Sequence, residues 1–319
     1  MIHLSGMWQN KNLVKLTKPF VDPAQYGVSF SLKQCRSFDI NPRDSLQWLI
    51  HDGGFRRFRL MSYWDEHEKQ TGTYDFSQLD WQIDTVAKAG GVITLCLGAR
   101  QPRWPENHWP EWAWQLAPQQ RSDALLTYIE QVVERYKDQP AVISYQLENE
   151  ALLTNFGERP EVNRSRLRAE YKLVQKLDAS RPIIMSTSTS WGVPIRGPIP
   201  ALVGFSFYHT LYQNGGYRTS LFYPLIHRLR KNIIFILHRK KVFIHELQLE
   251  PWGPEAIWNM SSSEQAKSMG PQQIAKNIAL ARAIEAPPID LWGGEWWYWR
   301  LMHGDTSIWE AVQQALTEV

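Results

Sequence analysis

A chain of 319 residues, 43% hydrophobic and 21% charged, can bury a sizeable core, which excludes wholesale disorder. Its net charge of +3 is too small to argue for nucleic acid as a partner. No apolar run is long enough for a transmembrane helix, and residues 1–12 lack the charged-then-apolar order of a signal peptide. The expected location is therefore extracytoplasmic or cell-surface if a leader or anchor has been removed, and cytoplasmic otherwise.

Residues 1–25 read as a lead-in, and 26–319 as one domain. Tyr26 to Ser31 alternates as a first strand. Asn41-Pro42 supplies a cap and a first-turn proline for a helix carrying Leu46, Leu49 and Ile50, which stops at Gly53-Gly54. Arg57 to Met61 is the second strand, and a helix after Asp75-Phe-Ser77 runs to Gly90-Gly91. Val92 to Leu97 is the third strand, followed by a long polar-aromatic loop, Arg100-Gln-Pro-Arg-Trp-Pro-Glu106. Helical spacing of Leu125, Ile129, Val132 and Tyr136 predicts a helix over about 122–136.

Ala141 to Glu150 is an apolar run that closes on Asn149-Glu150, a buried strand ending in polar residues. A helix over about 164–177 and a strand at 182–186 follow, then a proline-rich link without helical period from Trp191 to Pro200. Leu202 to Tyr208 is the sixth strand. Residues 221–238 are helical, basic and apolar together. Lys241-Val-Phe-Ile-His-Glu246 is a seventh strand, again ending in a carboxylate. A helix with Ile274, Ile278 and Ile284, an eighth strand from Ile289 to Glu295 and a last helix near Val312 and Leu316 complete the chain.

Eight strands alternating with about seven helices predict a parallel sheet closed into a single (β/α)8 TIM barrel of the α/β class. An open doubly wound sheet would need a glycine-rich phosphate turn after an early strand, whereas Gly53-Gly54 and Gly90-Gly91 follow helices. Cys35 and Cys96, both placed in strands, read as buried free thiols.

Glu150 and Glu246 lie about three βα units apart, taking a unit as roughly 31 residues of a barrel of about 250. That spacing puts them nearly opposite each other at the barrel mouth. Two carboxylates flanking one bond are the requirement for glycoside hydrolysis. The 16 Trp, 12 Tyr and 12 Phe point the same way, because aromatic faces stack on sugar rings. Trp104, Trp109, Trp112 and Trp252 stand beside Pro and Gly in predicted loops. About half of the tryptophans are expected in the core.

Asn149-Glu150, Glu246 and Tyr208 together resemble the clan of retaining (β/α)8 glycosidases, with the closest likeness to cellulase-type enzymes of glycoside hydrolase family 5. The resemblance covers about residues 26–319 by strand order. It implies that Glu150 is the general acid/base and Glu246 the nucleophile, with carboxyl groups about 5–5.5 Å apart. It also implies a raised pKa for Glu150. Asn149 would bind the sugar 2-hydroxyl, Tyr208 would donate to Glu246, and Arg59 would sit near the nucleophile. Trp296 or Trp292 would floor the sugar site. Trp104, Gln101, Trp64, Trp252 and Glu295 complete the expected substrate contacts. The family's usual histidine in the third-strand loop is replaced by Gln101, Arg103 and Trp104.

Rival carboxylates are Glu148, on the same strand face as Glu150; Glu250, read as loop surface beside Pro251; and Glu295, read as the end of the eighth strand and lining the cleft. Arg59 could also pair with a core carboxylate, and His209 and His245 read as neighbours of the site or substrate contacts. No metal-ligand spacing occurs, so no cofactor or metal is expected. The expected activity is hydrolysis of a β-glucan or β-mannan chain from within, by a monomer. Alternatives are an exo-acting β-glycosidase, a glycolipid glycosidase, or a barrel that only binds carbohydrate. An isomerase- or aldolase-type barrel fits poorly, because Lys241 starts its strand and Gly293-Gly294 lies inside an aromatic one. Segment 221–241 reads either as a barrel helix or as a surface helix meeting a membrane.

Overall fold

The computed structural model describes residues 21–154, 156–158, 161–189, 192–193, 197–220 and 224–317. The strands are β1 (Tyr26–Phe30), β2 (Arg57–Met61), β3 (Val92–Leu97), β4 (Val142–Leu147), β5 (Ile183–Thr187), β6 (Leu202–Phe207), β7 (Thr210–Gln213), β8 (Gly216–Thr219), β9 (Lys241–Gln248) and β10 (Ile289–Trp292). Eight of them close a parallel barrel in the order β1-β2-β3-β4-β5-β6-β9-β10, with β1 returning to β10 at Tyr26 opposite Ile289. β7 and β8 form a separate antiparallel hairpin above β6. The fold is the expected single (β/α)8 barrel.

Parallel strands covered on both faces are buried throughout, which is why they read as apolar runs. The barrel interior is polar and built on small residues. A Cβ on Gly27 would fall 2.3 Å from Asp290, and one on Gly204 would fall 2.7 Å from the side chain of His245. These glycines make room for an inward His245–Asp290 pair, 2.6 Å apart.

The helices follow their caps. Asn41 accepts from the Arg43 N–H ahead of Pro42–His51, and Asn163 accepts from the Arg166 N–H ahead of Arg164–Leu177. The third predicted helix starts earlier than expected, at Pro118, because a proline suits the first helical position. Between β5 and β6 no helix forms among the described residues, as the prolines there imply. Trp191 and the residues Leu221 to Tyr223 lie outside the described residues, as do residues 1–20 of the expected lead-in.

Three placements differ from expectation. Cys35 lies in a short helix, Leu32–Ser37, rather than a strand; it and Cys96 are buried free thiols. The hairpin Thr210–Thr219 turns on Asn214-Gly215, both at positive φ. The eighth barrel strand stops at Trp292. Gly293, at φ 139°, turns the chain against the Leu249 carbonyl into the helix Gly294–Met302. Glu295 and Trp296 are therefore helical residues, not the end of a strand.

Candidate active site

β4 delivers its carboxylate through a tight turn. Glu148 and Glu150 both have positive φ, 33° and 43°. Glu148 accepts from the backbone N–H groups of Ala99 and Arg100, which binds the end of β4 to the loop after β3 and removes Glu148 as a rival acid. The Glu150 N–H donates to Ser186 Oγ on β5. Glu246 stands on β9, buried at 5% exposure, facing Glu150 across the mouth.

Ser206 Oγ on β6 lies 2.6 Å from Glu150 Oε1 and 3.4 Å from Glu246 Oε2. One hydroxyl within reach of both holds the facing oxygens closer than the roughly 6.5–9.5 Å that inverting enzymes leave for a water. Arg59, fully buried in the barrel, donates to Glu246 Oε1 at 2.5 Å, to Asn149 Oδ1 at 3.0 Å and to Gln146 Oε1 at 2.7 Å. Burial opposes its charge, but Glu246 more than offsets that and raises its pKa. Tyr208 donates its hydroxyl to Glu246 Oε2 at 3.1 Å. Burial, followed by the nearby Glu246 charge, holds the phenol well above its ordinary pKa, so it stays a donor. Glu246 is thus gripped on both oxygens by hydrogen-bond donors.

Glu150 has a different environment. Burial first, then the charge of Glu246, pushes its pKa up to about 7. The two carboxyl groups have different surroundings, the pattern by which one acts as acid and the other as base or nucleophile.

A third carboxylate joins them. Glu106, in the loop after β3 at φ 73°, accepts from Asn149 Nδ2 at 3.0 Å and lies 3.8 Å from Arg100 Nε. Burial, then the charges of Glu246 and Glu150, raise it to about 8 despite the Asn149 hydrogen bond. Asn149 is accordingly held at both ends of its amide, by Arg59 and Glu106. Neither Glu106 nor Ser206 stood out in the sequence. Glu106 lies within a loop with no periodic pattern, and a serine in a strand carries no signal of its type.

Aromatic side chains divide into rim and core. Trp104, 62% exposed, meets Phe156 edge-on; Phe156 packs on Trp252, and Trp252 on Tyr208. This row runs from the surface to the nucleophile. Trp292 lies at the mouth on the end of β10, with the Arg103 guanidinium 3.9 Å from its ring centroid.

Several expected contacts are instead structural. Trp64 is fully buried among Trp109, Trp112 and Tyr128, with its Nε1–H on Glu68, because its short helix faces the core. Trp296 is fully buried and donates to Gln265, since Gly293 turned it away from the mouth. Gln101 is buried and donates to the carbonyls of Ser62 and Gly98. Glu250 is not loop surface: it is buried, paired with Arg103 and bonded by Trp292 Nε1. Glu295 does not line the cleft; it is fully buried, paired with Arg103 at 2.8 Å, and accepts from the Ser31 N–H. His245 pairs with Asp290 inside the barrel, and burial lowers it to about 4. His209 is buried beside Gln248, which accepts from its backbone N–H. Among the described residues no three His, Cys, Asp or Glu side chains converge as a metal site.

A cavity of about 220 Å³ opens beside Glu150, with Met185 to Ser188 at the end of β5 along one side. Leu152, Leu153, Leu167, Met185, Val193 and Val203 give it apolar walls.

Comparison with known proteins agrees with this geometry. Residues 54–181, from just before β2 to just before β5, match a glycoside hydrolase family model described as beta-galactosidase. GH5_18 from Streptomyces cattleya, solved in complex with GlcNAc, has a similar structure, with TM-score 0.63 and 13% identity over 94% of this chain and 82% of that one. An endo-beta-1,4-xylanase of glycoside hydrolase family 10 from Gloeophyllum trabeum gives TM-score 0.61 and 13% identity over 94% of this chain and 98% of that one. A beta-galactosidase from the Antarctic haloarchaeon Halorubrum lacusprofundi gives TM-score 0.54 and 15% identity over 84% of this chain and 52% of that one. At such identities the structural likeness speaks for the fold, whereas the family match falls on the segment that carries Arg59, Glu106, Asn149 and Glu150. A closed barrel with that segment in it agrees with a (β/α)8 glycoside hydrolase of the clan A type.

Proposed function

We propose that the enzyme cleaves β-glycosides with retention, Glu150 serving as acid/base and Glu246 as nucleophile. The observation that carries this reading is the Ser206 hydroxyl within reach of both carboxylates, which supports the close spacing of a retaining pair. Glu150, protonated up to about pH 7, gives its proton to the glycosidic oxygen while Glu246 attacks the anomeric carbon. Arg59 and Tyr208 orient Glu246 through its two oxygens. Glu150, now a carboxylate, then takes a proton from the water that releases the sugar. Asn149 is oriented by Arg59 and Glu106 to present its remaining amide hydrogen to a sugar hydroxyl.

The aromatic row Trp104, Phe156 and Trp252 supports a chain substrate, a β-glucan or β-mannan cut internally. A second reading, a glycoside with an apolar leaving group, is favoured by the apolar cavity beside Glu150. The leaving group must lie on the acid's side of the bond.

The test is sugar release from β-glucans, mannans, xylans, Manβ1-4GlcNAc, aryl β-glycosides and alkyl β-glycosides, comparing wild type with Glu150→Gln and Glu246→Gln. Cleavage that each variant reduces by several orders of magnitude supports the pair. Variants that match wild type rule it out. Product lengths separate internal from terminal cleavage, and alkyl over polymeric substrates favours the second reading.

A further inference from the structure

The helix Pro224–His238 has an outward face unlike that of a solvated barrel helix. His227, Arg230 and Ile234 face the barrel. Leu225, Leu229 and Ile236, with Asn232 between, fall at the i, i+4, i+11 and i+7 positions of the opposite face. They are 74%, 54% and 67% exposed, and Phe235 and Leu237 beside them are also exposed. Among the described residues, no other helix leaves so many large apolar side chains in solvent. Scattered exposed apolar residues are ordinary; a continuous stripe marks an interaction surface.

The charge along the segment itself is of one sign. From Pro224 to Lys241 there is no Asp or Glu, while Arg228, Arg239, Lys240 and Lys241 are basic. Arg228 is paired with Glu285 at 3.0 Å; no ion pair among the described residues involves Arg239, Lys240 or Lys241. Arg230 anchors the buried side, donating to the carbonyls of Gly192 and Ser188, so the surface is rigidly tied to the wall of the cavity beside Glu150.

We infer that this helix docks the enzyme on an anionic lipid surface, its apolar stripe in the interface and Arg239, Lys240 and Lys241 against acidic headgroups. The helix lies on the membrane rather than crossing it, since no described helix is long and apolar enough to span. A second copy of the chain is the poorer occupant. A two-fold interface would bring each basic cluster against its own copy or leave it bare, whereas anionic headgroups answer both the charge and the apolar stripe. The helix leads from the catalytic end of β6 to the start of β9, so docking lays the barrel on its side with the cavity edge near the lipid.

The experiment is co-sedimentation of the full chain with vesicles of phosphatidylcholine alone and of phosphatidylcholine with phosphatidylglycerol, at low and high salt. The double variants are Leu229→Ser with Ile236→Ser, and Arg239→Glu with Lys240→Glu. Thermal unfolding of both should stay close to wild type, because Leu229, Ile236 and Arg239 are exposed and Lys240 is only partly buried. Expected is binding at least about tenfold tighter to the anionic vesicles, weakened by salt, and reduced about tenfold or more by either variant. Equal or no binding to the two vesicle types overturns the inference, as does binding that neither variant changes. A wild-type dimer that Leu229→Ser with Ile236→Ser dissociates, without lipid binding, also overturns it and assigns the stripe to self-association. None of these readouts depends on catalysis, so they stand or fall separately from the proposed reaction.

Discussion

Arg103 lies over Trp292, its guanidinium carbon 3.9 Å from the ring centroid, and covers one face of the aromatic at the end of the eighth barrel strand. The same guanidinium joins Glu250 to Glu295, two buried carboxylates from different elements. A positive-φ backbone, 97°, lets Arg103 turn inward from the loop. Burial raises Glu295, Arg103 opposes that, and Glu250 adds to it.

Replacing Arg103 by Met keeps bulk but leaves both carboxylates unpaired in the interior. Removing one partner of a buried ion pair costs about 3–5 kcal/mol. Urea unfolding near neutral pH should show a loss of that order, with a partial recovery at acid pH where the carboxylates are neutral. An unchanged midpoint would mean that Arg103 contributes only shape.

Tyr208 gives Glu246 one of its charge-assisted hydrogen bonds. Such bonds are worth about 1.5–3 kcal/mol. Tyr208→Phe should therefore lower kcat about 10- to 150-fold while leaving the fold intact. Equal kcat in the variant would show that Arg59 alone positions Glu246.

The acid limits activity at high pH. With Glu150 raised to about 7, kcat/KM should fall as pH rises through that region. Ser206 donates to the ionised form and so lowers this pKa; Ser206→Ala should move the alkaline limb to higher pH. A limb that moves down or stays fixed would separate Ser206 from the titration.

Glu106 makes stability depend on pH. Its folded pKa, about 8, exceeds the unfolded value of 4.5, so the folded state holds the proton more tightly. The stability it adds is fully present below about 4.5 and is lost as pH rises through about 8. Glu106→Gln should flatten the curve across that window and be more stable than wild type above it, by an amount of the order of a few kcal/mol. Urea unfolding at about pH 5 and about pH 9 measures both ends.

The barrel and its two facing glutamates could be read because β4 is a largely apolar strand followed closely by Glu150, and β9 opens as an apolar run that reaches Glu246; strands buried on both faces leave that pattern. Arg59 and Tyr208 stand within or just after strands, so counting strands sufficed to place them. Glu106 and Arg103 escaped because backbone turns at positive φ in one loop decide where they point, and their partners are distant in sequence. Glu250 followed Arg103 inward for the same reason. Trp64 and Trp296 show that abundance of tryptophan says nothing about which face it takes. The Asn214-Gly215 hairpin had its turn signal in plain view, but its strands are only four residues long.

Ser206 has a single hydroxyl hydrogen and two carboxylates within reach. Under the proposed roles, those neighbours exchange charge during turnover. Before cleavage Glu246 is the anion; once it carries the sugar as an ester, Glu150 is. Rotation about one side-chain torsion lets the same hydrogen follow the negative charge from one to the other. The serine is then a small moving dipole within an otherwise fixed mouth, solvating whichever glutamate is ionised without admitting a water molecule to do it.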